Sequence, residues 1–99
     1  MNLEQALQNE IKESKRWIEV EKYNSTYRRD LQKRIELINW VLRNIKNPAV
    51  CDIIESKMNE IILKINKTYS VFESDKLHSE LRILEWISYQ VCINQNKVM

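Results

Sequence analysis

Apolar residues recur along this chain at the spacing of three and four that places side chains on one face of an α-helix. From residue 31 the spacing is a heptad, formed by Leu31, Ile35, Ile38, Leu42 and Ile45. Leu37 and Val41 widen this stripe beyond the narrow seam of a two-stranded coiled coil. The pattern therefore predicts a helix that contributes a broad face to a core.

The same apolar face continues toward the N-terminus and drifts slowly, as a heptad pattern does on a straight helix. We therefore predict one long helix over residues 3–46. Residues 23–30 are the weak point of this prediction, because they include Asn, Ser and Thr, and Asp30 could cap a new helix. A break near 24–30, which gives two helices, is the alternative.

The best turn in the sequence is at Asn47 and Pro48, since proline ends one helix and suits the first turn of the next. A second helix is predicted over about 49–70. Ser70 with Glu73 three residues later, followed by Ser74 and Asp75, forms a run of capping residues. The last helix is predicted over about 75–94, and residues 95–99 are expected to fray.

Composition supports an all-α fold, because the chain contains no glycine and a single proline. Its 99 residues, 43% of them apolar and 30% charged, are typical of one globular domain, 1–99. We predict an antiparallel bundle of three helices, or four if the first one breaks. No apolar run reaches the roughly 20 residues of a membrane span, and no secretory signal pattern opens the chain. These two observations predict a cytoplasmic protein with no membrane partner.

Two segments of the sequence resemble each other at an offset of 46 residues. Tyr23 aligns with Tyr69 and Trp40 with Trp86, within matching rows of Leu and Ile. Two explanations stay open at this point. Either an αα-hairpin was duplicated, or two helices converged on one pattern.

Both repeated tryptophans lie off the main apolar stripe, about 180° from the leucine that opens it. Their rings either fold over the edge of the bundle or form a second contact surface. A helix over 3–46 would be about 66 Å long, too long for the remaining helices to cover, so we predict a homodimer that completes the bundle. The predicted protein-interface residues are Trp40, Trp86, Tyr23 and Tyr69.

The sequence contains no recognisable catalytic or metal-binding motif. Its one histidine, His78, has no second ligand at metal-binding spacing. Cys51 and Cys92 have no metal spacing either, and we expect them to be free thiols in a reducing cytoplasm. No glycine loop could hold a phosphate. We predict a protein that is not an enzyme and that has no metal and no cofactor.

Basic residues follow one another at helical spacing in the first half of the chain. They are Lys15, Lys22, Arg28, Arg29 and Lys33. Such a stripe can contact an acidic protein surface or a phosphate backbone, although Glu19 and Glu36 interrupt it. Together with the predicted interface, it favours a protein-binding regulator, inhibitor or assembly adaptor that acts as a homodimer.

A DNA-binding regulator of phage or low-GC microbial type is the alternative. A degenerate helix-turn-helix could occupy residues 58–84, with its turn at 67–70. The preceding residues, 34–58, resemble the helices before that motif in small phage regulators related to sigma-factor DNA-binding regions. The turn lacks glycine, however, and the would-be recognition helix carries Glu73, Asp75 and Glu80, which repel phosphates. Nucleic acid is therefore the second candidate partner after protein.

Overall fold

The computed structural model describes residues 2–21 and 26–93, and over these residues the protein is all-α, with four α-helices and no strand. The helices are α1 (Leu3–Val20), α2 (Thr26–Asn44), α3 (Val50–Lys67) and α4 (Val71–Ser88), and a π-helical turn, Tyr89–Ile93, extends α4. The all-α prediction and its four-helix alternative are confirmed. Lys22, Tyr23 and the predicted frayed tail lie outside the described residues.

A reciprocal pair of hydrogen bonds sets the beginning of α1. The backbone N–H of Gln5 donates to Asn2 Oδ1 at 2.8 Å, and the backbone N–H of Asn2 donates to Gln5 Oε1 at 3.2 Å. This capping box satisfies two backbone groups near the helix start, including one amide of the first turn that has no partner within the helix. The helix therefore begins at Leu3, as the apolar pattern predicts.

The prediction of one continuous helix over 3–46 is wrong, because the backbone of Glu21 is extended (φ −79°, ψ 103°) and ends α1. Arg34 Nη1 lies 2.6 Å from Glu10 Oε1. In an unbroken helix these residues would lie about 36 Å apart along the axis. Helices α1 and α2 therefore form an antiparallel hairpin. The apolar faces of the two helices meet in this hairpin. In the sequence these faces follow one another at helical spacing, so the periodicity alone does not reveal the chain reversal.

This hairpin belongs to the first of two compact units, Met1–Asn44. The unit buries one face of each helix, at Leu7, Ser14, Leu31, Leu37, Ile38 and Val41. Arg28 Nη1 also donates to the Glu21 carbonyl at 3.3 Å, which ties the first turn of α2 to the end of α1. The long helix is thus replaced by two helices that cover each other.

The second compact unit, Ile45–Met99, begins with the predicted Asn47–Pro48 turn. The Asn47 side chain accepts a hydrogen bond from the Ala49 N–H at 2.9 Å, and the Asn47 carbonyl accepts from the Val50 N–H at 3.0 Å. An asparagine side chain that bonds the backbone two residues later stabilises a tight turn. Helix α3 therefore starts at Val50.

The connection between α3 and α4 is three residues long, from Thr68 to Ser70. Ser70 Oγ accepts from the Glu73 N–H at 3.3 Å, and its carbonyl accepts from the Ser74 N–H at 2.9 Å. The first of the predicted caps thus starts the helix, at Val71 rather than near residue 75. The α3–α4 pair is a second αα-hairpin.

A disulfide joins Cys51, near the start of α3, to Cys92, in the π-helical turn. Their Cα atoms are 5.8 Å apart, within the range that a disulfide spans. The prediction of two free thiols is wrong. A separation of 41 residues shows no pairing signal in the sequence, but the hairpin brings its two base ends together.

Several core residues occupy matching positions in the two hairpins, at an offset of 47 residues between α1 and α3 and of 46 residues between α2 and α4. Adding 46 or 47 residues to the bounds of α1 reproduces those of α3 to within one residue. Equivalent positions are buried in both, as the pairs Leu37 and Ile83, Ile38 and Leu84, Val41 and Ile87, Leu7 and Ile54, and Ser14 and Ile61. This agreement extends beyond the helix that carries the tryptophan, so it favours duplication of a hairpin. That residues 1–99 form one domain stays a prediction.

Candidate protein-contact surfaces

The two repeated tryptophans are half-buried in the structure. Around the helix axis Trp40 is about 60° from the buried Leu37, and Trp86 is about 60° from the buried Ile83, so each lies at the margin of its helix's core face. Half-burial is compatible with a ring that folds over the core edge and also offers part of its surface to a partner. Their assignment to an interface stays a prediction.

The most exposed apolar side chains lie elsewhere, at the two hairpin tips. Within residues 2–21 and 26–93, eight of the ten large hydrophobic residues that are exposed belong to these tips. The α1–α2 tip carries Trp17, Val20 and Tyr27, and the α3–α4 tip carries Ile62, Leu63, Tyr69, Val71 and Phe72. Exposed apolar side chains that are clustered, rather than scattered singly, mark contact sites. Only Tyr69 among them is a predicted interface residue.

The α3–α4 tip carries five of the exposed apolar residues that the structure describes. Tyr69, in the connecting turn, is 101% exposed, and Val71 is 76% exposed. Phe72 lies within about 20° of the buried Ser79 and Ile83 when α4 is viewed along its axis, yet it is 62% exposed. The core-facing row of α4 therefore continues into the tip, where it becomes accessible to a partner.

A groove of about 410 Å³ lies beside this row. It is lined by Lys64, Lys67, Thr68, Glu73 and Leu77. The groove thus joins the end of α3, which is basic, to the start of α4, which is acidic. Leu77 is the apolar part of this lining, and the charged residues around it can orient an aromatic ring that contacts it.

The predicted basic stripe is divided between two helices. Lys15 is exposed on α1, whereas Arg28, Arg29 and Lys33 lie on α2 and therefore do not continue its face. Arg29 pairs with Asp30 at 3.3 Å and Lys33 with Glu36 at 3.4 Å. Local carboxylates thus offset part of the positive charge. Binding of a partner by these residues stays a prediction.

The proposed DNA-reading segment also has its boundaries where the sequence analysis expects them, with α3 ending at Lys67 and α4 starting at Val71. The angle between the helices differs from that of the motif, in which they cross at about 90–120°. If α3 and α4 crossed at a right angle, the Cα atoms of Cys51 and Cys92, which lie at the far ends of the two helices, would be roughly 40 Å apart. They are 5.8 Å apart. The two helices lie side by side.

No candidate metal-binding cluster is found in the part of the chain that the structure describes. There, no group of three or more His, Cys, Asp or Glu residues could hold a metal ion. His78 Nδ1 lies 2.8 Å from the Ser74 carbonyl and 3.3 Å from Ser74 Oγ, which is local bonding within the first turns of α4. None of the helices in residues 2–21 and 26–93 combines the length and apolar composition of a bilayer span.

No known protein family, curated protein or solved structure matches this chain.

Proposed function

We propose that this chain is a non-enzymatic protein-binding protein that acts as a homodimer, in the role of a regulator, inhibitor or assembly adaptor. The observation that carries the proposal is the gathering of exposed apolar side chains at the two hairpin tips. Contact surfaces of this kind derive most of their binding free energy from a few aromatic and large aliphatic anchors. The half-buried Trp40 and Trp86 are secondary anchors in this proposal.

Binding should be tested by changing both tips and leaving the cores intact. Replacing Trp17 and Leu63 by Ser alters one exposed side chain at each tip, and Gln32→Ser, at an exposed position within α2, is the control. Sedimentation of each purified chain up to ~0.3 mM reports self-association, including weak association. Host proteins that co-purify with the wild type should be identified and the complexes rebuilt from purified components.

We expect the double variant to weaken both self-association and the rebuilt complexes, with the control unchanged. The proposal fails if the wild type neither self-associates nor forms any rebuilt complex that depends on the tips. Circular dichroism of each variant verifies that the helices remain folded.

The cytoplasmic location predicted from the sequence stays a prediction, and the Cys51–Cys92 disulfide argues against it. Disulfides persist in oxidising compartments and are rare in the reducing cytoplasm. Trapping the thiols of intact host cells with an alkylating reagent should therefore report free Cys51 and Cys92 if the protein is cytoplasmic. A disulfide in the trapped protein would place it in an oxidising compartment instead.

DNA binding stays a prediction from the sequence, although α3 and α4 lie side by side and do not have the crossing angle of a helix-turn-helix. A titration with duplex DNA would show affinity that falls steeply with salt, since cationic side chains release counterions from phosphates. Absence of binding at low salt would eliminate this candidate.

A further inference from the structure

The backbone on both sides of Tyr69 is hydrogen-bonded. The Thr68 N–H donates to the Ile65 carbonyl at 3.4 Å, and the Ser70 N–H donates to Thr68 Oγ1 at 3.4 Å. The fully exposed ring thus projects between two residues with their own hydrogen bonds. Docking of the ring therefore costs mainly the rotamer freedom of the Tyr69 side chain, since the backbone on both sides of it is already hydrogen-bonded.

The groove that could receive such a ring lies on the same tip. Thr68, the immediate neighbour of Tyr69, is part of its wall, and Leu77 contributes an apolar surface. The groove is open to solvent, and its volume of about 410 Å³ leaves room for a phenol ring to lie against its walls. The α3–α4 tip therefore has both a projecting Tyr69 ring and a groove that could bind such a ring from another copy.

The charges of the tip are also complementary to themselves. The last turn of α3 carries Lys64 and Lys67, and the first turn of α4 carries Glu73. Lys64 is paired with Glu60 at 3.3 Å, whereas Lys67 and Glu73 make no ion pair among the described residues. In a two-fold contact, residue i of one copy meets residue j of the other and the reverse. Lys67 can therefore meet Glu73 twice.

We propose that a second copy of this chain docks on the α3–α4 tip about a two-fold axis, each Tyr69 ring entering the groove of the other copy. Docking would cover Leu63, Val71 and Phe72 around the ring. The exposed surface of Tyr69 and these three residues is roughly 600 Å² per copy. Its burial in both copies would cover ~1,200 Å² in total, which is at the lower end of the range for specific interfaces. The dimer is thus a reversible one. This inference rests on the proposed function and names its first partner and its contact surface.

Tyr69→Ala tests the ring directly, and its full exposure means that the fold loses no internal contact surface. Tyr27→Ala, which removes a half-exposed aromatic ring at the α1–α2 tip, is the matched control. In sedimentation equilibrium, Tyr69→Ala should raise the dimer Kd at least 30-fold and Tyr27→Ala less than threefold. An equal effect of the two variants, or none from Tyr69→Ala, overturns the proposal.

Charge reversal tests the two-fold arrangement. Lys67→Glu and Glu73→Lys, both at exposed positions, each remove two attractive pairs from the dimer and create two repulsive ones. We expect each to raise Kd about 30-fold, which corresponds to about 2 kcal/mol at 1.4 kcal/mol per factor of ten. An equimolar mixture should dimerise with nearly wild-type affinity, because both pairs in the mixed dimer are again opposite in sign.

Three results would overturn the inference. They are a wild type that stays monomeric up to ~0.3 mM, a dimer that ignores the charge reversals, and a mixture without recovery. The chain could fail these dimer tests and still form a complex with a host protein through its tips. In that case the proposed protein binding stands, and only the proposal that a second copy occupies the α3–α4 tip is refuted. Loss of both self-association and such complexes refutes the proposed function as well.

Discussion

The disulfide between Cys51 and Cys92 makes a quantitative prediction about the second hairpin. Replacing both cysteines by Ser removes a cross-link between residues 41 positions apart. The native hairpin should persist in this variant, because Ile54, Ile61, Leu84 and Ile87 remain buried in its core. The main change is therefore in the unfolded chain, which is no longer constrained to a closed loop.

The size of the effect follows from the length of that loop. In the chain-entropy description, closing a loop of about 41 residues lowers the entropy of the unfolded chain by about 13 cal/mol/K, equivalent to ~4 kcal/mol at 25 °C. Native domains of this size are stable by only about 5–15 kcal/mol. Loss of the cross-link should therefore lower the free energy of unfolding by a large fraction of its total value.

Urea unfolding monitored by circular dichroism measures this difference between the oxidised wild type and the double serine variant. The wild type with dithiothreitol is the second comparison and should resemble the variant. Alkylation without reductant should leave both sulfurs unmodified in the wild type. A stability difference below about 1 kcal/mol, or two alkylated cysteines, would refute the reasoning that the hairpin base is cross-linked.

Three further experiments test how the helices are stabilised. Asn2→Ala removes the capping box and should cost about 1 kcal/mol of unfolding free energy in urea, with helix loss confined to α1; no change would show that the cap is not formed. Leu84→Ala empties a fully buried position and should cost about 2–5 kcal/mol, while Leu63→Ala, at a 58% exposed position, should stay within about 0.5 kcal/mol. In a double-mutant cycle, Glu10→Ala and Arg34→Ala should show a coupling of no more than about 1 kcal/mol that decreases with salt, since both side chains are about one-third exposed. Zero coupling at low salt would contradict the observed ion pair.

Local features were predictable because they depend on neighbouring residues. The absence of glycine excludes most tight sheet turns, and the apolar spacing requires helices, which established the all-α class. The turn at Asn47 and the cap at Ser70 were likewise identified, since both act through hydrogen bonds to residues two or three positions away. The repeat was visible too, although the matching buried positions in α1 and α3 became clear only from the structure.

What the sequence determined by itself was the all-α class and the apolar face of each helical segment. Tertiary structure alone decided where the chain reverses between α1 and α2, that Cys51 lies beside Cys92, and that the exposed apolar surface is at the tips. Periodicity reports which side of a helix is apolar, and it is the same whether that side meets another chain or the next segment of its own. Chain reversal and pairing depend on contacts between distant residues, and those exist only once the hairpins have formed.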